Sequence, residues 1–332
     1  MKREKRLIAL IIVALILMGT AAGCAKNVTI EIPPAEYGIP SDDATILIDL
    51  ALEMVPLTAS PAMFSVAMPS ATGTLTRAND KAIIDYSNSS DGYIMVKYMN
   101  ATTKELRVLI TGPNNTRYQY SLKKNATYEV YPLSAGDGKY EITVCEQVSE
   151  SKFAVAVSAT ITVKLTDEFA PFLLPNQYVN YTENSKVVAK AADLVKNANT
   201  LMEKISAVYN FVVSNLTYDK ELAQNVKPGY LPDVDAVMER GKGICFDYAA
   251  VMAAMLRSQK VPTRLVIGYA GTVYHAWIDV YSETEGWINS VIFFDGQSWK
   301  LMDPTFASSS NGSESVMQYI GDGKNYSARY IY

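Results

Sequence analysis

Three residues of this chain have the types and the order that thiol chemistry on a carbonyl group requires. Cys245 is followed 30 residues later by His275, the single histidine of the 332-residue chain, and Asp303 follows 28 residues after that. A free thiol titrates at about 8.5, so at neutral pH it needs a base to become the attacking thiolate. Histidine has a pKa near neutrality, and a carboxylate on its far nitrogen orients the ring. The order Cys, His, Asp is therefore typical of acyl transfer through a thiol.

The residues around Cys245 predict a buried helix with the thiol in its first turn. Gly241 and Gly243 interrupt the chain just before it, and residues 245–259 contain no Pro or Gly and are rich in Ala, Met and Leu. The first turn of a helix has unpaired amide groups and the positive end of the helix dipole, which favour a thiolate and can face an oxyanion. Asp247 is well placed for the same helix end.

Three short segments after this helix predict antiparallel strands. They cover residues 261–269, 274–281 and 298–302, are β-branched or aromatic, and are separated by glycine-bearing turns. Because side chains alternate along a strand, the aliphatic residues 276, 278 and 280 share one face of the second strand. His275 and Trp277 share the other face, so His275 is expected to point away from the more aliphatic side.

Residues 243–305 resemble a transglutaminase-like domain, a branch of the papain-like cysteine enzymes in which a nucleophile helix packs on an antiparallel sheet. The motifs that carry the resemblance are Gly-Ile-Cys-Phe-Asp-Tyr-Ala at 243–249, the segments 255–264 and 299–305, His-Ala-Trp at 275–277 and Gly-Trp at 286–287. The resemblance implies an α+β fold. It also implies that Cys245 is the nucleophile, His275 the general base and acid, and Asp303 the orienting carboxylate.

The oxyanion hole of such a site is expected to have two donors. The first is the backbone N–H of Cys245, and in related enzymes the second comes from an upstream side chain. Tyr218 ranks first for that role because residues 216–219 resemble the Tyr-Asp stretch that commonly ends the preceding helix in this family. Gln177 and Tyr230 are the other candidates.

Each of these residues also has a purely structural interpretation. A lone Cys is more often a small buried side chain than a nucleophile, an isolated His more often makes a structural hydrogen bond, and Asp-Pro-Thr is most often a turn. A domain that keeps this fold and binds without turnover therefore stays open as an alternative. The three motifs in order, with their spacing, favour the enzyme.

The start of the chain predicts export and a lipid anchor. Residues 1–6 are basic, residues 7–18 are an unbroken run of twelve apolar residues, and residues 19–24 are mostly small. Twelve residues are too few for a membrane span, which needs about twenty. The end of this segment resembles a bacterial lipoprotein cleavage box, with Ala21 where Leu is more usual. Residues 1–23 are thus expected to be a signal peptide, and Cys24 is expected to be lipidated and to hold the exported protein at the cell membrane.

The rest of the chain divides by its pattern into three parts. Residues 24–80 are rich in Pro, Ala, Ser and Thr and predict a tether with little packed structure. Residues 81–165 contain six or seven short strands and predict a small immunoglobulin-like or fibronectin-like β-sandwich, expected to be a spacer and packing partner rather than a substrate or wall binder. Residues 166–332 form the transglutaminase-like part, with helices expected at 184–197 and 201–216; the second opens with a capping box of Thr200 and Glu203.

Composition narrows the function further. The formal net charge is −4, so the chain lacks the excess of basic residues that is typical of nucleic-acid binding. One His and three scattered Cys do not make a typical zinc site, and no cofactor is expected. Cys145 is expected to be a strand residue. A disulfide between Cys145 and Cys245 would remove the proposed nucleophile. Two function classes remain: a thiol enzyme acting on amide bonds of proteins or cell-wall peptides, by hydrolysis in preference to crosslinking, and a noncatalytic surface binding module.

Overall fold

Two antiparallel sheets form the first half of the structure. The computed structural model describes residues 29–32, 66–284, 286–288, 292–294, 299–301 and 326–332. One sheet has the order β1-β9-β8-β5-β6 and the other the order β2-β3-β4-β7. The strands are β1 (Thr29–Glu31), β2 (Thr76–Ala78), β3 (Ala82–Asp85), β4 (Tyr93–Tyr98), β5 (Leu106–Thr111), β6 (Arg117–Ser121), β7 (Glu129–Pro132), β8 (Gly138–Ser149) and β9 (Lys152–Val163).

The two sheets pack as the predicted β-sandwich. Ile84 and Val96 of one sheet and Val108, Ile110 and Val144 of the other are fully or almost fully buried in one core. Alternating apolar residues along each strand produce this core, because every second side chain points to the same face. The prediction of a β-sandwich ahead of an α+β region is confirmed.

The region expected to be a tether contributes to the sandwich at both of its ends. Thr29–Glu31 pairs with β9, and Ile32 is buried in a small cluster on the outer side of the five-stranded sheet. Val66 joins the main core, and β2 begins at Thr76. The expectation of a tether with little packed structure from 24 to 80 does not hold for these residues. A three-residue strand is too short to leave a periodic signal in the sequence, and β1 pairs with a strand more than a hundred residues away.

Among the described residues, the second half contains five α-helices and a four-stranded antiparallel sheet of order β14-β13-β12-β17. The same residues contain two further strand pairs, the parallel β10-β11 and the antiparallel β15-β16. In the described residues no helix is long and apolar enough to cross a membrane. The elements are α1 (Lys186–Val195), α2 (Leu201–Asn215), β10 (Thr217–Tyr218), α3 (Lys220–Asn225), α4 (Val234–Arg240), β11 (Lys242–Gly243), α5 (Cys245–Ser258), β12 (Thr263–Ala270), β13 (Val273–Ser282), β14 (Gly286–Ile288), β15 (Ile292–Phe294), β16 (Trp299–Leu301) and β17 (Tyr326–Ile331).

Helix α5 is the centre of this half. All fourteen of its residues are buried, with α1, α2 and α4 on one side and β12 and β13 on the other. A helix that is apolar around its whole circumference belongs inside a protein, which is how its Ala, Met and Leu content was interpreted. The helix α2 that packs on it begins with the predicted capping box, in which Thr200 accepts from the backbone of Glu203 and the Glu203 carboxylate accepts from the N–H of Thr200.

Arg257, in the last turn of α5, ties three separate segments to the helix. Its guanidinium is buried and donates to the backbone oxygens of Thr263 at 2.9 Å, Leu174 at 2.7 Å and Tyr332 at 2.7 Å. Burial lowers the pKa of Arg257 to about 10, still above neutrality. The cation therefore holds the start of β12, the segment after the sandwich and the end of β17 in one place.

A group of tyrosines joins the sandwich to the second half. Tyr120 of β6 lies 5.7 Å from the ring of Tyr178 and 5.8 Å from that of Tyr332, and Tyr178 lies 5.6 Å from Phe246, the residue after Cys245. The side-chain amide of Gln177 donates to and accepts from the backbone of Ser121 at the edge of the sandwich. The two halves thus share one continuous core.

Candidate active site

Cys245 occupies the first position of α5. Ile244 before it has an extended backbone, with φ −95° and ψ 174°, so the chain turns into the helix at the thiol. The side chain of Cys245 is 5% exposed. The strand pair β10-β11 holds the approach to the helix, since Tyr218 pairs with Gly243 and the N–H of Asp219 donates to the oxygen of Gly243 at 2.9 Å. The N–H groups of the first helical turn have no acceptor within the helix, which leaves them for a ligand at this end.

Asp247 lies one half-turn further along α5 and is completely buried. One carboxylate oxygen accepts from the N–H of Ile244 at 2.9 Å and from Arg240 Nη2 at 3.2 Å, and the other accepts from the Tyr230 hydroxyl at 2.7 Å. Burial raises the pKa of Asp247, while the hydrogen bonds from Tyr230 and Ile244 and the charge of Arg240 act in the opposite direction. The carboxylate therefore fixes the residue just before the thiol.

His275 lies near the start of β13, opposite Gly268 of β12. It is 5% exposed, and its ring lies 6.4 Å from Trp277 at an angle of 21° and 6.3 Å from Tyr326. A Cβ on Gly268 would come within 2.0 Å of the Ser327 oxygen and 2.9 Å of the Trp277 ring. Glycine at 268 is thus needed for β17 and the indole to approach β12 at the position opposite His275.

Trp277 is held in turn by Asp279, on the same face of β13. The indole Nε1 donates to Asp279 Oδ1 at 3.1 Å, and Asp279 is buried opposite Arg264 of β12. Arg264 stacks on the Trp287 ring, with 3.6 Å between its Cζ and the ring centroid. This face therefore has a row of ordered polar and aromatic side chains that begins at His275.

The other face of β12 and β13 lies against α5. Leu265, Ile267, Ala276 and Ile278 belong to the same core as the helix, as strand alternation predicted. The structure thus packs the helix that begins with Cys245 against the strand that carries His275. Asp303 and Cys24 lie outside the described residues.

Comparison with known proteins identifies part of this half. Residues 188–290 match the family model of the transglutaminase-like superfamily. These residues are a transglutaminase-like domain. The match contains both Cys245 and His275 and ends before Asp303.

Three individual proteins are similar to this chain at low identity. The chain is 23% identical over 190 residues to the uncharacterized protein YebA of Bacillus subtilis, a match that covers 51% of this chain and 26% of that relative. A candidate cysteine protease from Cytophaga hutchinsonii aligns at 16% identity over 63% of this chain and 68% of its own, with a TM-score of 0.32. Red sea bream transglutaminase aligns at 12% identity over 69% and 53%, with a TM-score of 0.30. The chain thus spans about a quarter of the length of its curated relative.

The three candidates for the second oxyanion donor of the transglutaminase-like domain have different surroundings. Gln177 bonds the backbone of Ser121 in the sandwich, and Tyr230 donates to Asp247, so both side chains make hydrogen bonds that hold parts of the fold together. Tyr218 is half-buried and stands beside Gly243, two residues before the thiol. The assignment of Tyr218 to the oxyanion hole stays a prediction.

Sequence reasoning did not identify Arg240 and Tyr230 as partners of Asp247. Arg240 also donates through Nε to the oxygen of Lys242 at 2.7 Å, so it binds the loop that leads to Cys245. The one sequence signal was the acidic residue in the first turn of a buried helix, since such a carboxylate needs partners. Within the described ranges, no three His, Cys, Asp or Glu side chains come close enough to hold a metal ion.

Proposed function

We propose that the protein is a thiol acyl-transfer enzyme that cleaves amide bonds, with Cys245 as nucleophile, His275 as general base and acid, and Asp303 as the residue that orients His275. The observation that carries the proposal is the position of Cys245 at the first residue of a buried helix, in a transglutaminase-like domain. At that position the backbone N–H of Cys245 faces outward from the helix end, where an oxyanion donor is needed.

The reaction consists of two acyl transfers. The sulfur of Cys245 attacks the carbonyl carbon of an amide while its proton passes to His275. His275 then protonates the nitrogen as the carbon–nitrogen bond breaks, the amine leaves, and a thioester remains. Water attacks the thioester with His275 as base, the carbon–sulfur bond breaks, and the acid is released. A primary amine in place of water would give crosslinking instead, and water is favoured because it is always present.

Substrates of this class are proteins or cell-wall peptides outside the cytoplasm. This part of the proposal comes from the basic and apolar start of the chain and from Cys24, the proposed lipid site. The first strand of the sandwich begins at Thr29, five residues after Cys24. Five residues span at most about 18 Å, so a lipid at Cys24 would hold the sandwich close to the membrane surface. Unchanged fatty-acid labelling of the Cys24→Ser variant would contradict this anchor.

A noncatalytic binding module is the second candidate, and one observation favours it. The face of β12 and β13 that meets α5 is the aliphatic one, whereas His275 lies on the face with Trp277. The enzyme therefore requires the imidazole to reach the sulfur beyond the end of the helix, within about 3 to 4 Å in a resting structure. A separation of more than about 8 Å, with no mobile segment between the groups, would rule out the triad, because no hydrogen bond reaches that far.

Incubation with a peptide library tests the proposed activity. We expect the wild-type protein to cleave peptides and to form a thioester adduct on Cys245 that mass spectrometry detects, and the Cys245→Ala variant to do neither. The same incubation with an added primary amine separates the outcomes, since incorporated amine indicates crosslinking and cleavage without incorporation indicates hydrolysis. Cleavage that persists in Cys245→Ala would exclude Cys245 as the nucleophile.

A further inference from the structure

The carboxylate of Asp247 makes three hydrogen bonds at the end of α5 where Cys245 stands. Its partners come from three places in the chain: Ile244 at the helix start, Tyr230 in the loop before α4, and Arg240 at the end of α4. Arg240 also donates to the Tyr230 hydroxyl at 3.2 Å. Asp247 is fully buried, so these hydrogen bonds take the place of water around its carboxylate.

The bond to Ile244 acts on the peptide that carries the N–H of Cys245. Ile244 is the last residue before the helix, and its own oxygen accepts from the N–H of Tyr248 at 3.1 Å. Asp247 holds the amide of the same residue at 2.9 Å. Fixing both polar groups of Ile244 fixes the plane of the next peptide, because only two torsions separate them. The Cys245 N–H, which has no helical acceptor, is thus held in one direction.

The absence of a side chain at Gly243 leaves the space that Asp247 occupies. A Cβ on Gly243 would lie 2.6 Å from the Cβ of Asp247, so no side chain fits there while Asp247 keeps its position. Arg240 supplies the compensating charge with its side chain 34% exposed, and burial followed by the hydrogen bond to Asp247 raises the pKa of Tyr230 to about 12. Tyr230 therefore stays a hydroxyl donor at any ordinary pH.

We propose that Asp247, braced by Tyr230 and Arg240, is a positioning residue that aims the backbone N–H of Cys245 at the oxyanion of the tetrahedral intermediate. This proposal rests on the proposed function and names the part of the chain that sets the first oxyanion donor. In this role Asp247 contacts neither the carbonyl group that the sulfur attacks nor the leaving group. It acts through Ile244 on the geometry of the peptide that follows.

Two reagents that react with the same sulfur separate this role from a general effect on folding. Iodoacetamide alkylates a thiolate without forming an oxyanion, whereas p-nitrophenyl acetate acylates it through a tetrahedral oxyanion. In the acylation the sulfur–carbon bond forms, the carbon–oxygen bond to p-nitrophenolate breaks, and the thiol proton passes to His275. The second rate depends on the aim of the Cys245 N–H at the oxyanion, whereas the first depends on that N–H only through the stability of the thiolate.

We expect Asp247→Asn to lower the rate of acylation about 10- to 100-fold, less than the loss of about 100- to 1000-fold when an oxyanion donor is removed, because this donor is misaligned and still present; alkylation should change less than about 3-fold. Arg240→Met should act in the same direction, and Tyr230→Phe should lower acylation about 3- to 10-fold because it removes one donor of three. The control is Lys242→Met, which removes an equal charge two residues after Arg240; Lys242 pairs with Asp219 at 3.4 Å, whereas the ion pair of Asp247 is with Arg240. Both of its rates should stay within about 2-fold of wild type.

Acylation of Asp247→Asn at the wild-type rate would overturn the positioning role. If Asp247→Asn and Tyr230→Phe lose acylation and alkylation to the same extent, the loss indicates a folding defect, and the positioning role is overturned as well. If Asp247→Asn does not fold, Tyr230→Phe decides by the same ratio of rates, because it leaves the carboxylate and its bond to Ile244 in place. A wild-type protein that is alkylated but never acylated at Cys245 overturns the proposed function as well. Normal wild-type acylation with normal Asp247→Asn acylation overturns the positioning role alone.

Discussion

Cys145 and Cys245 are both buried free thiols, but Cys145 lies within a strand of the sandwich and Cys245 at the start of a helix. Cys145 is in the middle of β8, between β5 and β9, and packs in an apolar cluster with Ile32, Leu109 and Phe153. Cys245 begins a helix, with backbone N–H groups that lack helical acceptors. Burial raises the pKa of Cys145 to about 12. Burial therefore does not make a thiol reactive, and what distinguishes Cys245 is the set of polar groups at the helix end.

The largest expected effect separates the two cysteines by activity. We expect Cys245→Ala to lower amide cleavage at least about 1000-fold, because removal of a nucleophile leaves only the contributions of binding and the oxyanion hole. Cys145→Ala should leave cleavage unchanged, since its side chain faces a closed apolar cluster of the sandwich. Steady-state rates on one peptide measure both. Equal losses in the two variants would contradict a special role for Cys245.

A second prediction concerns how firmly the Cys245 helix is held at its far end. Arg257→Met should lower the free energy of unfolding by about 3 kcal/mol, because three carbonyl oxygens lose a charged donor in a buried place. Arg264→Met is the matched control. Arg264 stacks on Trp287 and Phe172, interacts with Asp279 through charge, and makes no hydrogen bond among the described residues, so its loss should cost about 1 to 2 kcal/mol. Urea unfolding measures both, and equal costs would show that the three carbonyl contacts add nothing.

The third prediction uses the shifted pKa of Cys145. The unfolded thiol releases its proton from about pH 9 and the folded thiol only near 12, so rising pH within this window favours the unfolded chain. The contribution of Cys145 to stability is complete below pH 9 and should fall by about 1.4 kcal/mol per pH unit above it. Unfolding of wild type and Cys145→Ala between pH 9 and 10.5 isolates this contribution. A difference between the two proteins that does not change with pH would contradict the burial effect.

Features that depend on local sequence were predictable around Cys245. The glycine interruption and the apolar run gave the start of α5 at the thiol itself, and the capping box gave the start of α2. Alternation gave the face of β13 on which His275 lies, because the period of a strand is visible within eight residues. The order of a sandwich followed by an α+β region was predictable for the same reason.

Features that depend on contacts between distant residues were not predictable. Tyr230 donates to Asp247, 17 residues away, and Gln177 bonds Ser121, 56 residues away. The sequence alone therefore could not remove either residue from the candidates for the oxyanion hole. Thr29–Glu31 pairs with a strand that starts at Lys152, so a segment that reads as a tether is part of a sheet. No local pattern encodes such pairings, since they depend on which edges and polar groups the folded chain leaves open.

Alkylation of the folded protein with iodoacetamide at pH 6 to 7 tests the central claim most directly. We expect Cys245 to react much faster than Cys145, His275→Ala to slow that reaction, and Asp303→Ala to slow it less, because orienting the ring is secondary to supplying the base. Peptide mapping by mass spectrometry assigns the label to each cysteine. Equal labelling of Cys145 and Cys245 that does not change in His275→Ala would contradict the enzyme and leave a noncatalytic binding module.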